Sequence, residues 1–367
     1  MKVTFPYMGT TLVYKKLVEM LGHEPVPPPK PSQRTIDLGV KYSPEFACFP
    51  MKVIMGSYVE ALETGAEVIL TSGGHGPCRA GFYGEMHKKI LENLGYEVDV
   101  IVFDSIMKDY KNVMKNVMKL KANNSWLKVW KSLKFIYQVA KDADDFEMQL
   151  QTKRAYEVNK GDCTKAWGKI IKMYEAVYDE EALMNARKVA QNLIDGISII
   201  DVPEEQKIRI GIVGEIYVVM ESSVNMKMEE VLGSLGCEVR RGHYLSHWIE
   251  HNIIPKPFRK NDEEEILKKG ERYIEIQIGG HAKETMGHIV DYHDQGFDGV
   301  VHLMPFGCLP ELVSQSIMPK LIEETGIPVL TIALDEQAGI ANNLTRIEAF
   351  LDLIRSNKKK NISRVVS

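Results

Sequence analysis

Three cysteines occupy loops in which a thiol could do chemistry. Cys78 lies in a glycine-rich loop, with Gly73, Gly74 and Gly76 before it, directly after the apolar run 66–70. The glycines allow a tight turn and a close approach to a bulky group, and Pro77 favours a helix start at this point. Unpaired N–H groups at a helix N-terminus stabilise a thiolate, which is the form that binds metal or acts as a nucleophile.

The other two cysteines have comparable surroundings. Cys48 lies in an aromatic turn bounded by prolines, at residues 42–50. Cys308 lies in the loop 305–311, between the predicted strand 300–304 and a further helix. The pattern of strand, loop, cysteine and helix therefore occurs in both halves of the chain.

Ligands of open α/β sheets bind beyond the carboxyl ends of the strands, where these three loops are expected to meet in a cleft between two domains. Three thiolates with aromatic shielding suit an iron–sulfur cluster whose fourth iron is open. A zinc site of three cysteines and one histidine is the alternative, with His75, His281 or His302 as the fourth ligand. A buried cysteine can also serve only as a small apolar side chain, and this role is predicted for Cys163 and Cys237.

Composition restricts the class of protein. The 367 residues carry a formal net charge of −4, and 44% of them are hydrophobic. Such a chain can form about two domains with real cores, and its charge gives no reason to expect nucleic acid. Because no apolar run reaches the roughly 20 residues of a membrane span and five cysteines form no CxxC pair, we expect a cytoplasmic protein with reduced thiols.

The order of predicted elements indicates an α/β fold built from two duplicated Rossmann-like lobes with parallel sheets, separated by an all-helical insert. The expected boundaries are 1–105 for the first lobe, 106–206 for the insert and 207–367 for the second lobe. Met286-Gly287 follows Met55-Gly56 at a spacing of 231 residues, and Cys308 follows Cys78 at 230. This spacing indicates an internal duplication. Position 48 then corresponds to Gly279, so the second lobe has a glycine turn where the first has a cysteine.

The first part of the helical insert is rich in lysine. Eight lysines and one acid, Asp109, lie between Lys108 and Lys134. Such a segment is either a solvated helix face or a docking site for an acidic partner.

Several of these motifs together resemble the 2-hydroxyacyl-CoA dehydratase superfamily, and in particular its branch of acyl-CoA dehydratase activase-related proteins. The resemblance covers both α/β lobes, at about 1–105 and 208–356. The motifs that carry it are Phe46-Ala-Cys-Phe-Pro50, Gly76-Pro-Cys-Arg-Ala-Gly-Phe-Tyr-Gly84, Pro305-Phe-Gly-Cys-Leu-Pro-Glu311, Asp335-Glu-Gln337 and Thr345-Arg-Ile-Glu-Ala-Phe350.

The resemblance implies a [4Fe-4S] cluster held by Cys48, Cys78 and Cys308. It also implies that an ATP-hydrolysing activator protein supplies one low-potential electron, and that the chain is a component of an oxygen-sensitive dehydratase or reductase acting on a substrate such as an acyl-CoA. The chain itself has no Walker A motif. A related subunit or a second copy of the chain would be a further partner.

Two arginines are candidates for a role beside the cluster. Arg79 follows Cys78 and could offset the negative charge of the bound cluster, or could be solvated. Arg346 could bind a phosphate or carboxylate, or pair with an acid, while Thr345 and Glu348 beside it have the spacing of a capping box.

The rival hypothesis from another class is a binding or assembly subunit without redox chemistry, whose cysteines hold zinc or nothing.

Overall fold

The computed structural model describes residues 1–73, 78–103, 110–254, 259, 263–276, 278–337 and 339–366. Within these ranges the strands form two parallel sheets of four strands each. Helices pack on the sheets and also form the segment between them, which confirms the predicted α/β class with two Rossmann-like lobes and a helical insert.

The first sheet has the order β2-β1-β3-β4. Its strands are β1 (Lys2–Thr4), β2 (Glu24–Pro25), β3 (Val68–Ser72) and β4 (Asp99–Phe103). Val68 and Leu70 pack with Phe5 and Val18 on one face, whereas Ile69 packs with Tyr58 on the other. Because successive side chains of a strand point to opposite faces, this sheet is buried on both sides, as parallel sheets usually are.

Helices lie between these strands along the chain. They are α1 (Leu12–Met20), α2 (Gln33–Tyr42), α3 (Phe49–Glu63), the 3₁₀ turn Arg79–Phe82 and α4 (Tyr83–Asn93). The helices that follow β4 are α5 (Tyr110–Lys121), α6 (Trp126–Lys153), α7 (Asp162–Tyr174) and α8 (Glu180–Asp195), with short 3₁₀ turns at Arg154–Tyr156 and Glu204–Gln206.

The second sheet repeats the first, with the order β6-β5-β7-β8. Its strands are β5 (Ile208–Gly214), β6 (Cys237–Arg241), β7 (Gly299–Pro305) and β8 (Val329–Leu334). Its helices are α9 (Ile216–Met220), α10 (Met228–Ser234), α11 (Leu245–Ile253), α12 (Glu263–Glu271), α13 (Ala282–Asp294), α14 (Leu309–Thr325) and α15 (Ile340–Val366).

A pair of helices in each lobe shows the duplication in atomic detail. A Cβ added to Gly56 of α3 would lie well under 3.0 Å from the Thr35 carbonyl oxygen of α2. A Cβ added to Gly287 of α13 would meet the Ile266 carbonyl of α12 in the same way. Both glycines and both carbonyls are 231 positions apart, so the sequence spacing records a repeated close contact between helix backbones.

The chain divides into two compact units. The first comprises Met1–Lys141 together with a short segment at Gly279 and Gly280 and the segment Gly307–Pro310. The second comprises the remaining residues from Asp142 onward. All three loop cysteines, including Cys308 from the second half of the sequence, therefore lie in the first unit.

The predicted capping box at Thr345 and Glu348 is wrong. Helix α15 already begins at Ile340, and the Thr345 hydroxyl donates to the Ala341 carbonyl oxygen at 3.2 Å, one turn earlier in the same helix. The local pattern is typical of a helix start, but the apolar residues before it are compatible with helix and extend α15 towards its N-terminus.

Candidate functional site

Cys48 is positioned by the start of a helix. It is the N-cap residue of α3, and its carbonyl oxygen accepts a hydrogen bond from the Met51 N–H at 3.1 Å. Pro50 occupies the first turn, where its missing N–H costs nothing. The cysteine is buried, so its sulfur lies in the positive field of a helix N-terminus and away from bulk water.

Cys308 has the same local design. It is buried and directly precedes α14, whose second residue is Pro310. Gly307 before it has a φ of +71°, a backbone conformation that favours glycine. The sequences Phe46-Ala-Cys-Phe-Pro50 and Phe306-Gly-Cys-Leu-Pro310 thus place a cysteine before a helix in the same way.

Cys78 is the most accessible of the three. It is half-buried and is the N-cap residue of the 3₁₀ turn Arg79–Phe82, which leads into α4. This agrees with the predicted position at a helix start. Gly74, His75, Gly76 and Pro77, whose predicted roles concern this loop, lie outside the described residues.

Arg79 joins the three cysteine loops. Its guanidinium group donates one hydrogen bond to the carbonyl oxygen of Phe46, two residues before Cys48. It donates another to the carbonyl oxygen of Gly307, the residue before Cys308. Because Arg79 itself follows Cys78, a single cation holds the backbone segments next to all three thiols.

A glycine turn lies against Cys78. Gly279 and Gly280 both have positive φ, at +70° and +61°. A Cβ at Gly280 would lie 2.6 Å from Cγ of Pro310 and 3.5 Å from Sγ of Cys78. Glycine at position 280 therefore lets this turn pack directly against Pro310 and the Cys78 sulfur, where any side chain would collide with the proline.

The sequence did not reveal the contact between Tyr83 and Cys48. The Tyr83 hydroxyl, at the first residue of α4, lies in hydrogen-bonding contact with Sγ of Cys48. The tyrosine was visible in the Cys78 motif, but its contact joins residues 35 positions apart and depends on how α3 and α4 pack.

The remaining two cysteines have structural surroundings, in agreement with the prediction. Burial, together with the Glu157 carboxylate, raises the pKa of the Cys163 thiol to about 12. Burial also raises the pKa of the Cys237 thiol to about 12. Both side chains are fully buried and remain protonated thiols near neutral pH, which makes them poor metal ligands.

Arg346 belongs to the second unit. It is exposed on α15, and its guanidinium group donates to the Thr331 carbonyl oxygen of β8 at 2.7 Å. The contact shows how α15 is attached to the sheet, and the predicted role of Arg346 at a bound group stays a prediction.

A buried histidine–carboxylate network follows the strands of the second sheet. Both nitrogens of the His302 ring form hydrogen bonds. Nδ1 lies 3.2 Å from the Thr331 hydroxyl oxygen, and Nε2 lies 2.8 Å from Oε2 of Glu311. Glu311 also accepts from the Thr285 hydroxyl at 3.1 Å. Since both ring nitrogens of His302 are engaged, this histidine is poorly placed to be the fourth zinc ligand.

Three further histidines lie close to one another in the second unit. The His243 ring is centred 4.8 Å from the His281 ring and 5.9 Å from the His288 ring. Burial lowers the pKa of all three, to about 4 for His288, so their imidazoles are neutral near pH 7. Only His281 was predicted from the sequence, as a candidate zinc ligand; His243 follows β6, far along the chain from His281 and His288 at the start of α13 and within it.

Glu215 lies at the end of β5 and caps α9, where it accepts a hydrogen bond from the Val218 N–H at 3.1 Å. Burial, together with the nearby Glu311 carboxylate, raises its pKa to about 7. A carboxyl group with this pKa can donate or accept a proton near neutral pH.

Within the described ranges, no group of three or more histidine, cysteine, aspartate or glutamate side chains is arranged to hold a metal ion. The support for a cluster site is therefore the shared anchoring of the three loops by Arg79, the close approach of the glycine turn 279–280 to Cys78, and the chemistry of three thiols. These observations fit a thiolate-bound group.

The chain matches the model of a known protein family. The family profile described as 2-hydroxyglutaryl-CoA dehydratase, D-component, matches residues 13–354. This match confirms the resemblance to the 2-hydroxyacyl-CoA dehydratase superfamily. The comparison with curated proteins found no match.

In the part of the chain that the structure describes, no helix is long and apolar enough to cross a membrane.

Proposed function

The chain belongs to the 2-hydroxyglutaryl-CoA dehydratase D-component family, and from this premise we propose that it is an iron–sulfur component of a dehydratase-type enzyme. Cys48, Cys78 and Cys308 hold one [4Fe-4S] cluster in this proposal. The observation that carries it is Arg79, whose two hydrogen bonds join the segments before Cys48 and Cys308 to the residue after Cys78.

The chain's own groups favour a negatively charged ligand set. Each cysteine directly precedes a helical segment, and the N–H groups at such a start stabilise a thiolate. The guanidinium charge of Arg79 offsets part of the negative charge that three thiolates bring together. The Tyr83 hydroxyl contacts Cys48 Sγ and, with that cysteine as a thiolate, would donate a hydrogen bond that orients the sulfur. When bound, the cluster supplies one low-potential electron.

We propose that the electron comes from a separate ATP-hydrolysing activator. The family description names a component of a larger enzyme, which implies partner proteins. The glycines of this chain that most resemble a nucleotide motif have structural roles. A Cβ at Gly211 would collide with the Tyr292 ring, and one at Gly214 would collide with the backbone of Leu303.

The proposed substrate class is a small molecule such as a 2-hydroxyacyl-CoA. The name of the family supports this class. Loss of a hydroxyl group from such a substrate requires a proton for the leaving oxygen, and a carboxyl group with a pKa of about 7, as at Glu215, has suitable acidity for transfers of this kind.

The rival function, a binding or assembly subunit with zinc or an empty cysteine site, has less support. Zinc bound by three cysteines takes a histidine as its fourth ligand in common sites. Of the candidate histidines, His302 is fully buried with both nitrogens engaged, and His75 lies outside the described residues. His281 remains for that hypothesis.

The proposed cluster can be tested by measuring iron and sulfide content and by EPR spectroscopy. We expect protein purified without oxygen to contain about four iron and four acid-labile sulfide per chain, and to give an EPR signal on reduction that air abolishes. Protein that contains stoichiometric zinc, or neither metal after attempted reconstitution with iron and sulfide, would contradict the proposal and favour the rival function.

A further inference from the structure

The start of helix α6 exposes an unusual number of large apolar side chains. Trp126, Leu127, Trp130 and Leu133 are 53%, 62%, 60% and 41% exposed. Isolated exposed apolar residues are normal on proteins, but four within two helical turns form a contiguous patch. We call these four residues the tryptophan patch.

The patch is additional to the face by which α6 packs on the protein. Phe135, Ile136, Val139 and Ala140 of the same helix are buried and supply its core-facing side. Trp126, Trp130 and Leu133 follow one another at spacings of four and three residues, so they share a different, outward face. The two other tryptophans of the chain, at 167 and 248, are half-buried.

Lysines surround and interrupt the patch. The 32 residues 110–141 contain eight lysines and no aspartate or glutamate. The ammonium group of Lys121 lies 5.4 Å from the centre of the Trp126 ring, and that of Lys134 lies 5.8 Å from the centre of the Trp130 ring. The positive charges therefore lie on the tryptophan rings themselves, and the N-terminal end of α6 adds to the positive field.

The geometry points to the tryptophan patch as a docking site for a partner protein whose surface combines acidic and apolar side chains. Tryptophan is enriched among residues that dominate binding energy in protein interfaces, where it fills a pocket on the partner. The lysines are complementary to carboxylates, which would orient the partner and raise the rate of encounter.

A protein fits the patch better than an anionic membrane surface does. A helix that lies in a bilayer interface presents an apolar face along much of its length, with lysines on the opposite side. Here the outward apolar face spans about two turns. Lys134 lies among the apolar residues of this face, because it falls four residues after Trp130. This inference depends on the exposed surface alone, and it stands whether or not the chain holds an iron–sulfur cluster.

The experiment uses the whole protein and a labelled probe peptide. The probe is a fluorescein-labelled amphipathic helix of about 20 residues, with leucines on one face and glutamates on the other. We expect the anisotropy of the label to show saturable binding that weakens as salt rises from about 0.05 to 0.5 M. We also expect the tryptophan emission to shift to the blue on binding.

Two variants locate the binding. Trp126→Ser with Trp130→Ser and, separately, Lys131→Glu with Lys134→Glu should each weaken binding of the peptide at least about tenfold. Because these side chains are exposed, the variants should keep the thermal unfolding midpoint of the parent protein. The matched controls are Met184→Ser with Val189→Ser on α8 and Lys169→Glu with Lys172→Glu on α7, which should leave the affinity unchanged.

Three outcomes would overturn the inference. The first is no saturable binding, or equal binding by the tryptophan variant. The second is tighter binding to vesicles of phosphatidylcholine and phosphatidylglycerol than to the peptide, which would indicate a membrane surface. The third is self-association of the protein alone in sedimentation velocity that the tryptophan substitutions abolish, which would show that a second copy covers the patch.

Discussion

The residues that follow corresponding strands of the two sheets differ in a revealing way. After β3 the chain reaches Cys78, and after the corresponding strand β7 it reaches Cys308. By contrast, β1 is followed by the buried Phe5, whereas its counterpart β5 is followed by Glu215. The duplicated scaffold thus keeps a thiol after one strand in both halves, whereas the residue directly after the other strand is apolar in the first half and a carboxylic acid in the second.

The two compact units also differ in the side chains that they contain. Loops after β3 and β7 adjoin the point at which each sheet changes the direction of its strand order, which is the usual ligand position in such folds. The first unit holds all three loop cysteines, and the second holds the histidine–carboxylate network. The proposed cluster and the ionisation of Glu215 can then be tested with different variants.

The largest expected effect is the loss of iron. Serine in place of Cys48, Cys78 or Cys308 should lower iron and sulfide from about four of each per chain to near zero, because an alkoxide is a far poorer ligand for iron than a thiolate. The readout is metal content together with absorbance of the anaerobic protein.

The matched controls for the loss of iron are Cys163→Ser and Cys237→Ser. Both cysteines are buried thiols with raised pKa values, and their replacement should leave iron content unchanged in the folded fraction. Iron that disappears in a folded control variant, or that persists in all three loop variants, would show that the ligand set is wrong.

The next prediction concerns the duplicated scaffold. Gly56→Ala and Gly287→Ala should each lower the free energy of unfolding by about 3 kcal/mol or more, because each new Cβ would collide with a carbonyl oxygen of the neighbouring helix. Chemical denaturation of both variants measures the effect.

Gly168→Ala is the control for these two variants. Gly168 lies on the exposed side of α7 with no atom within 4 Å of an added Cβ, and the change should stabilise the helix by about 0.5–1 kcal/mol. A small cost at Gly287 beside a large cost at Gly56 would mean that the two helix pairs no longer serve the same structural role.

These glycines also show why much of the fold could be predicted from the sequence. Gly56 and Gly287 repeat at a spacing of 231 because a side chain at either position would collide with the neighbouring helix backbone, so the structural constraint leaves a visible pattern in the sequence. The strands were equally clear as apolar runs before glycine turns. The predicted helix start at Thr345 was wrong because a local capping pattern cannot show that the helix has already begun at Ile340.

The site was predictable only in part. A cysteine in a glycine loop carries a local signal, and so Cys78 and Cys308 could be found. The bridging role of Arg79 joins positions 228 apart, and the network of Glu311 with His302 and Thr285 joins three elements. Such contacts depend on tertiary packing and leave no periodic pattern in a single sequence.

A third prediction tests the proton chemistry of the second half. Burial raises the pKa of Glu215 to about 7 from its usual 4.5, so the folded state binds this proton more tightly than the unfolded state does. Between about pH 4.5 and 7 the folded state therefore carries more protons, and this carboxyl group makes the protein less stable as the pH rises.

The change Glu215→Gln should remove that dependence. Glutamine keeps an oxygen that can accept the Val218 N–H but carries no charge at any pH. We expect the variant to exceed the parent protein in free energy of unfolding by about 1–3 kcal/mol at pH 8, and by little at pH 4. Denaturation curves at both pH values measure the difference. If the variant and the parent protein had the same free energy of unfolding at pH 8, ionisation of Glu215 would not destabilise the folded state.

The smallest predicted effect concerns Tyr83, in the first half. Its hydroxyl contacts Sγ of Cys48, and a hydrogen bond to a ligand sulfur stabilises the reduced state of a cluster, which carries more negative charge. Tyr83→Phe should therefore make the reduction potential more negative by the equivalent of one hydrogen bond, about 1 kcal/mol, with iron content unchanged. The measurement is a redox titration followed by EPR.

Two outcomes separate tuning from packing at Tyr83. A shifted potential with full iron content supports a role of the hydroxyl at the sulfur. An unchanged potential would mean that the contact only fills space between α3 and α4, since phenylalanine preserves the ring that packs beside His87. The ionisation of Glu215 in the second unit should be insensitive to this substitution, so the pH dependence of stability due to Glu215 should persist in Tyr83→Phe. Its disappearance would show that the two units are energetically coupled, and that variants at Tyr83 and Glu215 do not report on independent sites.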